Sequence, residues 1–126
     1  MEKQQRELLF TGAIMGFLSI VFGAFGGYAL DAFLEPANRE IYELGMRYAY
    51  IHVLAIVGSV LAIPLAGKPE HLVLAVWFFI IGVLVYTGSL ILLALTGIEF
   101  FAQITPLGAL GFLLGWGFFA NAMRRA

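Results

Sequence analysis

Residues 86–116 read YTGSLILLALTGIEFFAQITPLGALGFLLGW, two long apolar runs on either side of a short turn. Gly97 closes the first run as a helix-ending residue does, since glycine takes up the left-handed conformation of a C-terminal cap without a Cβ clash. Thr105 and Pro106 supply an N-cap and a first helical position for the second run. The stretch is expected to form two antiparallel helices separated by roughly eight residues, a short helix-to-helix connection.

Outward from this hairpin the same pattern recurs. Lys, Arg, Asp and Glu are absent from Leu8 to Leu30, Tyr48 to Gly67, His71 to Ile98 and Phe100 to Met123. Each run approaches or exceeds the ~20 residues that cross ~30 Å of hydrocarbon at ~1.5 Å per residue. The expected fold class is all-α: one domain over residues 1–126, a polytopic antiparallel bundle of four transmembrane helices with both termini on the same side. The helices are placed at about 8–30, 39–66, 72–96 and 105–123. Lys3 and Arg6 before the first run resemble the start of a signal peptide, but that run is too long and too glycine-rich for one, so a retained helix is expected.

Composition agrees. With 62% hydrophobic and 12% charged side chains, the chain carries about half the charge of an ordinary soluble domain. The absence of cysteine excludes a disulfide scaffold, an iron–sulfur site and a thiolate zinc site. A formal net charge of −1 gives no nucleic-acid footprint. Lys3, Arg6, Lys68, Arg124 and Arg125 flank the spans on one side, whereas Arg39 and Arg47 lie on the other among Asp31, Glu35, Glu40 and Glu43. The positive-inside rule then puts both termini and the 67–70 turn in the cytoplasm.

Small residues form stripes. Gly12, Gly16, Ser19, Gly23 and Gly27 recur at steps of four, three, four and four on the first helix, a seam for close backbone approach in lipid. Packing within the chain is the first expectation for it, a homodimer interface the second. Gly108, Gly111 and Gly115 form a further seam on the last helix, and Gly82, Tyr86, Ser89 and Thr96 share a face of the third. In the first loop Pro36 interrupts the chain, Asn38 is the candidate cap, and Arg39, Glu43 and Arg47 form i,i+4 pairs.

His52 is the ionisable residue placed deepest. Tyr48, His52, Ala55, Ser59, Ala62 and Ala66 follow one another at steps of four, three, four, three and four, the small and polar side of an otherwise aliphatic helix. His52 is therefore expected to face the bundle interior. There an imidazole relays a proton, ligates a cation or orients a substrate, or else stays neutral and donates to a backbone carbonyl or hydroxyl; the neutral role is the commoner, and His52→Ala is expected to leave the fold nearly intact. His71, beside Pro69 and Glu70, is interfacial, as is Glu99 next to Phe100 and Phe101.

Four blocks carry a resemblance: GAFGGYAL at Gly23 to Leu30, RYAYIHVLAI at Arg47 to Ile56, TGSLILLALTG at Thr87 to Gly97 and ITPLGALGFLLGW at Ile104 to Trp116. In this order, over nearly the whole chain, they resemble the small bacterial membrane proteins grouped as domain of unknown function 423, to which the transmembrane protein 256 group is similar. The resemblance implies a four-helix inner-membrane protein and lends no catalytic residue. The family's first block usually reads GAFGAHAL, with histidine where this chain has Tyr28. Tyrosine is a poor neutral-pH metal ligand, so a two-histidine metal site shared by the family is not expected here.

Catalytic signatures are missing: no intramembrane carboxylate pair, HExxH, phosphate-cradling loop or CxxC occurs. The expectation is therefore not an enzyme, with no cofactor and no metal. Two roles follow. One is an assembly protein, either a homo-oligomer or an accessory subunit of a membrane complex, in contact with membrane lipids and held by its small-residue seams. The other is a small transporter or channel in which His52, Tyr28, Tyr48, Ser59, Tyr86 and Ser89 surround a polar pocket.

Overall fold

The computed structural model describes residues 2–30 and 32–124; Asp31 and Arg125, both used in the charge count above, lie outside the described residues. Four helices are long and apolar enough to cross a membrane. Helix α1, Glu2–Ala24, continues into a π turn, Phe25–Ala29. Helix α2 is Pro36–Leu61, with a 3₁₀ turn at Ile63–Leu65. Helix α3 runs from Pro69 to Thr96 with a π turn at Val83–Thr87, and α4 is Phe100–Ala122.

Several boundaries differ from expectation. Helix α2 begins at Pro36, with extended Glu35 (φ −66°, ψ 156°) as N-cap and no side-chain cap, so Asn38 does not cap it. Proline is suited to a first position because its φ is already helical and its missing N–H has no partner to lose there. Pro69 opens α3 in the same way. Pro64 turns the end of α2 into the 3₁₀ segment three residues after Leu61.

The larger correction concerns α4. It starts at Phe100 rather than Thr105, and Pro106 lies inside it. Starting at Phe100 keeps the backbone groups of residues 100–104 within the helix, and proline removes a single bond from that set. Thr105 is not a cap; its Oγ1 donates to the Phe101 carbonyl at 3.1 Å. Gly97 behaves as expected, closing α3 at φ 71° with its N–H on the Leu93 carbonyl at 2.8 Å.

Helices α2 and α3 carry most of the buried side chains, with Ile56, Leu72, Val76 and Phe79 fully enclosed. Helix α1 packs on α2, and α4 packs on α3. The glycine seams make both contacts. On α1, a Cβ at Gly12 would stand 3.1 Å from the Ile56 side chain, one at Gly16 would stand 3.4 Å from Val53, and one at Gly23 would overlap the Tyr50 hydroxyl. Ser19 is buried between them. Gly27 breaks the series, with nothing within 4 Å, and Gly26 takes its place against the Tyr42 ring. The reason is local: the π turn holds more residues per turn than an α-helix, so a spacing counted at 3.6 does not carry past Ala24. Tyr42 also donates its hydroxyl to the Phe22 carbonyl.

Between α3 and α4 the glycines face one another. A Cβ on Gly111 would meet the Gly82 Cα at 3.4 Å, one on Gly115 would meet Phe79 at 2.5 Å, and one on Gly82 would meet Phe112 at 2.6 Å. With no hydrophobic drive between helices in lipid, such close approach supplies the dispersion that holds them.

A contact not foreseen from the sequence joins α2 to α3. Thr87 Oγ1 donates to the Gly45 carbonyl at 2.7 Å, in a place where a Cβ on Gly45 would stand 3.1 Å from that of Leu90. Thr87→Val is expected to destabilise the chain by about 0.6 kcal/mol, and by no more than ~1.7 kcal/mol. Thr96→Val, at an exposed hydroxyl bonded mainly within its own helix, is expected to leave the midpoint in place. Unfolding titrations in mixed micelles compare the two, and equal midpoints would remove the interhelical role of Thr87.

Candidate functional site

His52 sits on the face of α2 that meets α3 and α4, and only 4% of its surface is exposed. Its Nε2 lies 3.0 Å from Trp116 Nε1 on α4, and its Nδ1 lies 2.8 Å from the Tyr48 carbonyl one turn earlier on α2. Indole only donates, so Nε2 accepts; this assigns the proton to Nδ1, which donates to the carbonyl. The Phe112 ring stacks on the imidazole at 3.6 Å between centroids and 9° between planes, and Phe79 tilts against it at 5.5 Å. Tyr86 packs on both Tyr48 and Phe112, at 5.0 and 5.3 Å.

The six residues expected around one polar pocket are distributed differently. His52, Tyr48 and Tyr86 come together, but ring against ring rather than around a cavity. Ser59 is fully buried and donates to the Ala55 carbonyl of its own helix at 2.7 Å. Ser89 bonds the Tyr86 carbonyl at 2.9 Å and pairs with Thr105 across the α3–α4 contact. Tyr28 is 91% exposed and lies on a shallow groove with Ile20, Gly27 and Tyr50, away from His52. Among the described residues no three His, Asp or Glu side chains come close enough together to hold a metal.

Phe112 and Trp116, which enclose His52, were not assigned a role from the sequence. Their four-residue spacing beside Gly111 and Gly115 placed them near a seam, but nothing local links Trp116 to a residue 64 positions earlier. At the other end of the bundle, Asn121 Nδ2 donates to His71 Nδ1 at 2.7 Å and the Lys68 N–H donates to the Ala122 carbonyl at 3.0 Å. These bonds tie the α2–α3 turn to the end of α4.

Besides the shallow groove at Tyr28, two further hollows open beside α1. One, of about 300 Å³, lies between its π turn and the start of α2; Gly23, Gly26 and Gly27 line it opposite Arg39, Tyr42, Glu43, Arg47 and Tyr50. The other, of about 460 Å³, is an apolar groove between α1 and α3 with Met46 and Ala49 of α2 at its base.

A family model described as "Protein of unknown function (DUF423)" matches residues 22–109, which include the π turn of α1, all of α2 and α3, and the first half of α4. The UPF0382 inner membrane protein YgdD of Escherichia coli strain K12 is 32% identical over 117 residues, 88% of this chain and 84% of that protein. The UPF0382 membrane protein YwdK of Bacillus subtilis strain 168 is 31% identical over 112 residues, 88% of this chain and 90% of that protein. A UPF0382 membrane protein of Haemophilus influenzae is 32% identical over 104 residues, 82% of each chain. No solved structure matches the chain. The histidine-centred aromatic cluster and its glycine seams therefore sit in an integral membrane protein with four apolar spans, and the chain belongs to the DUF423 family.

Proposed function

We propose that this chain is a non-catalytic structural subunit of the inner membrane that acts by assembling with further copies of itself in the plane of the bilayer. The carrying observation is the apolar groove between α1 and α3. It extends along α3 from Val83 to Leu95, roughly 18 Å at 1.5 Å per residue, and opens sideways to lipid. Helix α1 also presents Phe10, Ile14, Phe17 and Val21 outward at steps of four, three and four, a ridge suited to such a groove. Seating the ridge of one copy in the groove of another, reciprocally, gives a closed two-fold pair.

The deep polar residues support the same reading. Both nitrogens of His52 are bonded, which leaves no lone pair for a metal and no open site for proton exchange, so the transport reading lacks its central group. The inner membrane is the location named for the Escherichia coli relative, and the basic flanks favour cytoplasmic termini.

The chain has no cysteine, so single reporters are clean. Membranes containing both Phe17→Cys and Leu84→Cys chains are expected to give a disulfide-linked heterodimer on mild oxidation, and wild type in native-lipid nanodiscs is expected at twice the monomer mass or more. Monomers alone in nanodiscs, with no cross-link, would sink the assembly reading.

A further inference from the structure

We propose that the apolar groove between α1 and α3 binds an isoprenoid quinone, with one ring carbonyl accepting a hydrogen bond from Ser19 and the tail lying along α3 toward Leu95. Ser19 carries the argument. Only 7% of its surface is exposed, it lines the groove, and among the described residues its hydroxyl makes no hydrogen bond. The other buried hydroxyls are bonded: Ser59 to the Ala55 carbonyl, Thr87 to the Gly45 carbonyl and Ser89 to the Tyr86 carbonyl. Hydrocarbon holds no water to take up an orphan donor, so a hydroxyl left open onto an apolar groove is matched by an acceptor that the occupant brings. Thr87 also lines the groove, but its proton is committed to Gly45. The groove therefore offers one donor.

Depth and charge narrow the class. Ser19 lies ten residues from the Ala29 end of its span and sixteen from the Lys3 end, so about 15 Å of helix or more separates it from either edge. A phospholipid anchored by its headgroup keeps its ester carbonyls at the edge of the ~30 Å hydrocarbon core and does not bring them to that depth. No ionisable side chain lines the groove, so an ionised carboxylate or phosphate would stand there uncompensated. The occupant is thus an uncharged, apolar molecule that carries a carbonyl inside the core, and a quinone with a prenyl tail meets that description. The lining suits a flat ring. Met15, Met46 and Phe22 share the groove with Ser19, and thioethers adapt their shape and make favourable contacts at ring edges. At about 460 Å³ the groove falls within the ~300–1,000 Å³ of small-molecule sites. Gly88 leaves it open, since a Cβ there would meet no atom within 4 Å. This inference does not rest on self-assembly. The ridge of a second copy brings only hydrocarbon side chains, with no acceptor for Ser19, and it fills the same groove, so the quinone is the competitor of pairing.

Native mass spectrometry of the full chain in a non-ionic detergent tests it. The probes are a ubiquinone with a short prenyl tail and squalene, a prenyl hydrocarbon with no carbonyl. They are added to wild type and to Phe17→Ala, which trims the ridge and leaves the groove lining as it is. One quinone per monomer is expected, and paired chains are expected to separate as quinone is added. Ser19→Ala is expected to retain the quinone about fivefold less, the worth of one hydrogen bond, and to retain squalene as wild type does, with an unchanged unfolding midpoint. Gly88→Leu, which fills the groove, is expected to lower retention of both probes about tenfold with unchanged circular dichroism. Equal quinone retention in wild type and Ser19→Ala, or no retention by either wild type or Phe17→Ala, would overturn the site. Quinone held within intact pairs would overturn the competition. A chain that stays monomeric throughout and still retains the quinone through Ser19 would overturn self-assembly and uphold the quinone site.

Discussion

Gly108→Ala is expected to weaken the chain by about 3 kcal/mol, the upper end of the range for overpacking, through the addition of one methyl group. A Cβ at Gly108 would fall on the backbone of α3, inside van der Waals contact of the Tyr86 amide nitrogen, 2.6 Å from its Cβ and 2.7 Å from its Cα. A flexible side chain can turn away from such an intruder; a helix backbone cannot. The two helices must separate, and the paired approaches at Gly82, Gly111 and Gly115 loosen with them. Gly117 is the control on the same helix, for nothing lies within 4 Å of its Cβ position. Gly117→Ala is expected to be neutral or to stabilise by up to about 1 kcal/mol, since alanine is the better helix former. Unfolding midpoints in mixed micelles that coincide for the two variants would show that α3 and α4 do not approach as described.

His52→Ala is expected to cost about 2 to 3 kcal/mol, a revision of the sequence-based expectation that it would leave the fold nearly intact. Three things are lost with the ring: the face that stacks on Phe112, the donor to the Tyr48 carbonyl and the acceptor for Trp116. The hole is lined by Phe79 and Phe112, and Trp116 Nε1 has no water to turn to at this depth. Trp116→Phe keeps most of the packing and removes only the bond, for an expected loss near 1 kcal/mol. A double-mutant cycle on the two positions is expected to show a coupling of about 1 kcal/mol, because the bond can be lost only once. Strict additivity would mean that the indole and the imidazole do not meet.

The four crossings were legible because membrane insertion is decided by the sum of side-chain transfer energies along a segment, and uncharged runs such as 71–98 state that sum without reference to a partner. Gly97 was legible for a similar reason, its left-handed cap being a property of one residue. Pro106 misled because its effect depends on surroundings: at a helix start it is favourable, and inside α4 it is tolerated because lipid offers the backbone no better bonding than the helix does. On α1 the last step of the glycine seam moved from Gly27 to Gly26 once the π turn changed the residue count per turn.

The sequence by itself determined that the chain lies in a bilayer, crosses it four times, and has small-residue stripes on its helices, because hydropathy and spacing are properties of single segments. Only the tertiary structure decided that His52 bonds Trp116 and stacks on Phe112, that Thr87 reaches the Gly45 carbonyl, that Tyr28 stands apart, and that Arg39 and Arg47 share a cleft with the π turn of α1. Each of these depends on the rotation and depth of one helix against another. Helix rotation and depth are set by the sum of many contacts of about 0.1–0.2 kcal/mol per atom pair, and no stretch of chain contains that sum alone.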